Sequence, residues 1–197
     1  MEAEADDVAV GPAGTPVEGV IAWTSPPRGH IGILRPGGKP EILVKDLPGI
    51  NPIAFSKDGR LFAAQSGQGD NALWEIDPSG AKPPRLVAKG ETRLNGFDFG
   101  PDGKLYAPWQ NSNPGKVVSI DVDTGEIKIF ASGMDTPSAV SVDANGVVYS
   151  AGNDTMWATP PGGEPKKVGE LLGAFDNLEV GPDGLVYASI VPDSKFV

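Results

Sequence analysis

One phrase recurs four times along this chain, and little else in the sequence constrains the fold so tightly. NPIAFSKDGRLFAAQ begins at Asn51, NGFDFGPDGKLYAPW at Asn95, SAVSVDANGVVYSAG at Ser138 and DNLEVGPDGLVYASI at Asp176. Each copy alternates apolar and polar residues, turns through Asp-Gly or Asn-Gly, and alternates again. Alternation of period two marks a half-buried strand, and the turn dipeptides tolerate the positive φ that a tight hairpin demands. The turn glycines Gly59, Gly103, Gly146 and Gly184 stand 44, 43 and 38 residues apart. That spacing leaves room for two more short strands per period, such as ALWEID with PRLVAK or VVSIDV with IKIFAS. Four short strands per repeat of this length define a β-propeller blade.

The expected fold is therefore all-β, a β-propeller of four-stranded blades with about four and a half blades in this chain. Residues 1–17 read as an N-terminal extension or closing strand, and 18–197 as a single incomplete propeller domain. Its blades fall near 18–47, 48–90, 91–133 and 134–173, and a fifth starts at 174–197. The segment from Gly19, GVIAWTSPPRGHIGILRPGGKPEILVKD, fits a first blade whose opening turn is Pro/Gly-rich instead of Asp-Gly. The only helix-like fragment is GELLGAFDN around Leu171, bracketed by glycines. An open propeller would leave strand edges unpaired. A C-terminal continuation or a second chain is accordingly expected to complete it.

Composition removes several partners. There are 16 basic and 26 acidic residues, a net charge of −10, and no basic cluster of the kind a phosphate backbone requires. No nucleic-acid partner is expected. No apolar run reaches the length of a membrane span and the opening MEAEADDVAVGPAG lacks a signal-peptide core, so no membrane partner is expected either. The absence of cysteine removes disulfides and thiolate chemistry. It does not fix a compartment, although a periplasmic or secreted location is favoured over a cytoplasmic one.

Eight residues before each turn glycine stands a polar residue: Asn51, Asn95, Ser138 and Asp176. The equivalent start of the first blade's inner strand is read as Glu18, in PVEGVIAW. In a propeller the inner strands surround a channel, so these positions would converge. Carboxylate and amide oxygens gathered in this way suit a hard divalent cation, Ca²⁺ first, with Mg²⁺ or Mn²⁺ as alternatives and Zn²⁺ on oxygens conceivable. The single histidine, His30, excludes a multi-histidine zinc site from this chain alone and reads as a solvated residue of a Pro/Gly-rich turn. Asn and Asp at strand starts also serve simply to satisfy turn backbone groups.

These residues resemble the SMP-30/gluconolactonase/luciferin-regenerating-enzyme family, six-bladed propellers with one divalent metal in the central channel. The resemblance implies Glu18, Asn95 and Asp176 as metal ligands, in the family's blade order. Ser138 stands where the family has an Asn ligand. It implies Arg93, two residues before Asn95, as a substrate contact, and Asp176 as both ligand and general base. The implied activity is metal-dependent hydrolysis of a lactone or similar ester. Asn51 and Trp109 are further substrate-contact candidates, Trp109 with the neighbouring Gln110 as a substrate wall, and Asn177 could compensate for the serine. No Gly-x-Ser-x-Gly elbow or cysteine supports nucleophilic catalysis. The alternatives are a non-catalytic NHL-like propeller that binds protein, glycan or a small ligand through loops such as GQGDNA and QNSNPG, or a propeller lyase or cyclase.

Overall fold

A computed structural model describes residues 5–66, 71–90, 93–110, 112–170 and 173–191. The alternating segments form four antiparallel four-stranded sheets and one hairpin, each with its strands in chain order. Sheet 1 contains β1 (Val8–Val10), β2 (Ile21–Ser25), β3 (His30–Leu34) and β4 (Glu41–Val44). Sheet 2 contains β5 (Ile50–Phe55), β6 (Leu61–Gln65), β7 (Ala72–Ile76) and β8 (Arg85–Lys89). Sheet 3 contains β9 (Asp98–Phe99), β10 (Leu105–Trp109), β11 (Gly115–Ile120) and β12 (Ile127–Met134). Sheet 4 contains β13 (Ala139–Val142), β14 (Val148–Gly152), β15 (Thr155–Thr159) and β16 (Lys166–Glu170), and the hairpin pairs β17 (Ala174–Val180) with β18 (Val186–Val191). Such a succession of up-and-down sheets is the fold expected from the repeat, a β-propeller. Among the described residues no helix is long and apolar enough to cross a membrane.

The four Asp-Gly and Asn-Gly phrases fold identically. In each, the turn glycine takes a φ between 77° and 84° and donates its N–H three residues back, as Gly59 does to Ser56 and Gly103 to Gly100. The residue donated to then pairs across the turn, as Ser56 N–H does with the Arg60 carbonyl at 2.8 Å. A side chain at that glycine would strain the left-handed backbone. The GELLGAFDN fragment forms no helix where it is described: its ends lie in β16 and β17, and residues 171–172 fall outside the described set.

The chain divides into two compact units, Met1–Arg93 and Leu94–Val197. In the first, the facing sides of sheets 1 and 2 enclose Ala22, Ile31, Ile50, Ile53, Leu61 and Ile76. On the other face of sheet 1 the Trp23 ring lies so close over Gly32 that a Cβ there would meet it at 2.1 Å, which explains the glycine in mid-strand. In the second unit, Tyr106, Val117, Met134, Val140 and Val148 fill the space between sheets 3 and 4. Ala139, Ala151, Phe175 and Leu178 do the same between sheet 4 and the β17–β18 hairpin.

Side chains stitch neighbouring first strands where the sheet ladder does not reach. In the second unit Asp98 Oδ2 accepts from Val142 N at 2.8 Å and Ser141 Oγ at 3.0 Å, and Ser141 Oγ in turn accepts from Val180 N at 3.0 Å. In the first unit Asp7 Oδ2 accepts from Ile53 N at 3.0 Å. A backbone N–H left bare between diverging strands would carry the cost of an unmade hydrogen bond, and these carboxylates remove it.

The first sheet begins earlier than the sequence reading placed it. Val8, Ala9 and Val10 pair with Trp23, Ala22 and Ile21, so the stretch 1–17 supplies the first strand of sheet 1. The β1–β2 connection is a ten-residue loop, 11–20, in place of the five-residue turn of the other repeats. Glu18 lies inside that loop.

Candidate functional site

The strand ladders fix which residues are equivalent. The pairs Phe55–Leu61, Phe99–Leu105, Val142–Val148 and Val180–Val186 occupy the same register, and Val10–Ile21 is their counterpart in sheet 1. Four residues before the first member of each pair stand Asn51, Asn95, Ser138, Asp176 and, in sheet 1, Asp6. The four polar heads counted from the turn glycines are thus structurally equivalent. In sheet 2 and in the β17–β18 hairpin they sit on register irregularities, between Ile50 and Ile53 and between Phe175 and Leu178, which turn a side chain out of the regular pleat.

Glu18 does not belong to this set. It is exposed in the β1–β2 loop, where its Oε2 accepts from Gly14 N at 2.9 Å. Val17, beside it, packs on the Gly59 turn of sheet 2, against which a Cβ would come within 2.9 Å. That turn is at the far end of β5 from Asn51, on the order of 13 Å along the strand. Glu18 and Asn51 are therefore not brought together; the missing Asp-Gly signal in the first repeat had shifted the reading by one strand. Glu18 instead lines an open groove of about 840 Å³ with Arg35, Arg60, Glu75, Asp77 and Arg85. Inside it Glu75 accepts from Arg60 Nε and Arg85 Nε, both at 2.7 Å, and these bonds, that of Arg60 foremost, hold its carboxyl below the usual range.

Within the second unit the heads of three consecutive sheets do meet. Asn95 Nδ2 donates to the Ser138 carbonyl at 3.0 Å. Ser138 Oγ lies 2.8 Å from the Phe175 carbonyl and 3.2 Å from that of Ala151, so its proton is directed at backbone. Asp176 follows Phe175 and is exposed; Asn177 Oδ1 sits 3.1 Å from where a Gly96 Cβ would be. The row thus offers an amide oxygen on Asn95, turned away from the donated N–H, and the carboxylate of Asp176. Ser138 acts chiefly as the tie between them. Among the described residues no three His, Cys, Asp or Glu side chains cluster as metal ligands. The donors are oxygen only, which fits a hard cation in kind, with one formal charge from the protein.

The remaining candidates scatter around this row. Arg93 is exposed and is the last residue of the first unit; Leu94, the first of the second, bridges to Trp109 in sheet 3. Trp109 is half-buried with Lys116 Nζ 5.0 Å from its ring centroid, a cation–π contact that occupies one face. Gln110 is half-buried, and its Oε1 has no partner. In the first unit Asn51 is half-buried, its carbonyl accepting from Thr24 Oγ1 at 2.5 Å. Thr24 also takes the Asp7 N–H at 3.3 Å and the Asp6 N–H on its carbonyl at 3.0 Å, which places Asp6 and Asn51 as neighbouring heads. Sequence reasoning passed over Asp6 and Asp98 as site residues; the available signals were two carboxylates ahead of the apolar VAV and an acid beside Phe99 in the third repeat. His30 is not a loop residue: it opens β3, half-buried, directly across from Ser25. Of the proposed recognition loops, residues 67–70 of GQGDNA and residue 111 of QNSNPG lie outside the described set.

No protein-family model matches this chain, and no curated protein matches it. Solved structures do. Virginiamycin B lyase from Staphylococcus aureus is similar over 97% of this chain and 64% of its own, with a TM-score of 0.74 and 15% identity. A chain of a nidogen/laminin complex is similar over 94% and 72%, with a TM-score of 0.79 and 18% identity. A gluconolactonase from Xanthomonas campestris is similar over 95% and 83%, with a TM-score of 0.55 and 16% identity. At such identities the likeness carries the propeller fold alone. The chain spans 64% of the lyase's length.

Proposed function

We propose that the row formed by Asn95, Ser138 and Asp176 is the reactive site of a lactone or ester hydrolase that works with one divalent cation. The reading is supported above all by the contacts that link the three heads, Asn95 Nδ2 to the Ser138 carbonyl and Ser138 Oγ to the Phe175 carbonyl, with the exposed Asp176 next in the chain. It is also in keeping with the gluconolactonase among the structures of like fold. Asn95 Oδ1 and Asp176 would hold the ion, with waters in the other positions and Ser138 setting their spacing. A hard cation there supplies Lewis acidity toward a carbonyl oxygen. Asp176 takes a proton from the attacking water as its oxygen bonds to the carbonyl carbon; the ring or ester C–O bond then breaks, and the alkoxide leaves with that proton. Arg93 offers a planar set of donors to an acidic or polyhydroxylated substrate, and the face of Trp109 not covered by Lys116 gives it a flat wall.

The decisive experiment combines a lactone and aryl-ester panel with elemental analysis of the purified protein. Turnover should require a divalent ion and fall at least about a hundredfold in Asp176→Asn. Glu18→Gln should retain it, since Glu18 serves its own loop. Full activity in Asp176→Asn, or in protein stripped of metal, rejects the proposal.

One observation favours a second reading, a propeller that binds without catalysing. The row carries a single carboxylate, and its serine hydroxyl is directed at backbone carbonyls. Protein free of metal and silent on the whole panel would select that reading.

A further inference from the structure

The links at one end of the sheets keep fixed lengths, with two exceptions. Between first and second strands the link is five residues in sheets 2 to 4 and in the β17–β18 hairpin, but ten, 11–20, in sheet 1. Between third and fourth strands it is six residues in sheets 1, 3 and 4, but eight, 77–84, in sheet 2. Both exceptions belong to the first unit, and both line the groove of about 840 Å³ that holds Glu18. Loops on a fixed scaffold are where recognition is carried, so two enlargements that meet at one cavity point to a built pocket.

Both loops are held in shape by their own hydrogen bonds. Asp77 Oδ1 accepts from Ser79 N at 2.9 Å and its Oδ2 from Lys82 N at 3.0 Å, which folds 77–84 around one carboxylate. In 11–20, Gly11 N closes the base on the Val20 carbonyl at 2.7 Å, and Thr15 Oγ1 donates to the Pro12 carbonyl at 2.7 Å. Arg35 Nη2 reaches from sheet 1 to the Pro78 carbonyl at 2.8 Å and so ties the two walls together. Pro16, Val17, Pro36, Pro78 and Pro83 make those walls stiff and apolar. Four acids and four bases line the groove, but the acids are already engaged. Glu18 accepts from Gly14 N, Asp58 from Ser56 Oγ, Asp77 from its loop, and Glu75 from Arg60 and Arg85. Lys82 is exposed, and among the described residues its ammonium makes no hydrogen bond or ion pair.

We propose that this groove binds a small organic anion, which sets its carboxylate or phosphate against Lys82 and Arg85 and its apolar body against the proline walls. Ammonium and guanidinium groups donate and never accept, so their complement is negative and rich in acceptor oxygens. The Arg85 side chain is 48% exposed even while it holds Glu75, which leaves it within reach of solvent and ligand. The volume fits as well, since small-molecule sites run from about 300 to 1,000 Å³ with apolar walls and a few placed polar groups. The proposal does not rest on the hydrolase reading, because the groove shares no residue with Asn95, Ser138 and Asp176.

Amide chemical shifts of the full chain, followed as benzoate, phenyl phosphate or neutral benzyl alcohol is added, test this. The two anions should move the amides of 11–20 and 77–84 along saturable curves with a Kd on the order of 1 mM, and benzyl alcohol should bind at least about tenfold more weakly. Lys82→Glu should weaken both anions about tenfold or more, whereas Lys82→Arg keeps the charge and should stay within about threefold of the parent. Both variants should melt like the parent, because the Lys82 ammonium holds nothing in the fold. Lys166→Glu, the same change of charge placed on β16, should leave binding as it was. Binding of one anion alone supports the proposal and names the recognised group as carboxylate or phosphate. Loops that move with neither anion overturn it. So does benzyl alcohol binding as tightly as the anions, or an equal loss in Lys166→Glu, which reduces the effect to net charge.

Discussion

Trp74 and Trp157 occupy the same place in sheets 2 and 4, yet their indole N–H groups have opposite fates. Trp74 Nε1 donates to Gln65 Oε1 at 2.9 Å, and Gln65 Nε2 donates to the Pro48 carbonyl at 2.9 Å. At the position of Gln65, sheet 4 has Gly152, where a Cβ would lie 1.8 Å from the Thr136 carbonyl oxygen, and Trp157 Nε1 is buried without a partner. Trp74→Phe should therefore cost about 1–3 kcal/mol beyond lost packing, since it strands a buried acceptor, whereas Trp157→Phe escapes that term. Urea denaturation of the two variants should show the difference directly, and equal losses would reject it. Gly96 is constrained from two sides, by a φ of 47° and by the Ala139 Cα 3.0 Å from any added Cβ. Gly96→Ala should destabilise the second unit by more than about 1 kcal/mol and disturb the Asn95 head beside it. At this scale the sequence was legible where a residue type repeats in register, as in Asn51, Asn95, Ser138 and Asp176. It was silent on what a side chain's own hydrogen bonds leave over. The serine hydroxyl of Ser138 looked like a short ligand, but two backbone carbonyls claim it.

Between elements, the links that matter are carboxylates spanning sheets or strands. Asp98→Ala removes the acceptor for Val142 N and Ser141 Oγ together, and should cost about 3 kcal/mol in chemical denaturation, with Asp98→Asn less severe. Glu75 ties Arg60 and Arg85 together across sheet 2. Its folded-state pKa lies below the ordinary value of 4.5, so its contribution is complete above that pH and is lost as the pH falls through the lowered value. Glu75→Gln should accordingly flatten the acid limb of a stability–pH curve while costing most near neutrality; an unchanged acid limb would rule this out. Hairpins were readable because Asp-Gly and Asn-Gly turns announce themselves, and the four carry the same pair of backbone hydrogen bonds. The first repeat was misplaced because its opening connection is a proline- and glycine-rich loop in which no dipeptide marks the reversal. The stretch 1–17 read as an extension or closing strand, not as the first strand of sheet 1, and Glu18 inherited the error.

For the whole molecule, four complete sheets repeat one plan, each with its strands in chain order. The propeller class was legible from the spacing of four turn glycines, because sheet count follows repeat count. The chemistry was less so, since it depends on which oxygens of equivalent residues stay available after folding. In each complete sheet the fourth strand meets the third through a register shift and carries charge, Glu41 in β4, Arg85 in β8, Lys128 in β12 and Lys166 in β16, which bears on how such a protein lengthens. Because every finished sheet ends in a margin that accepts no further strand, an added copy of the repeat must start a new sheet and cannot broaden an old one. Duplication in a gene of this design therefore changes the number of units and leaves the width of each untouched.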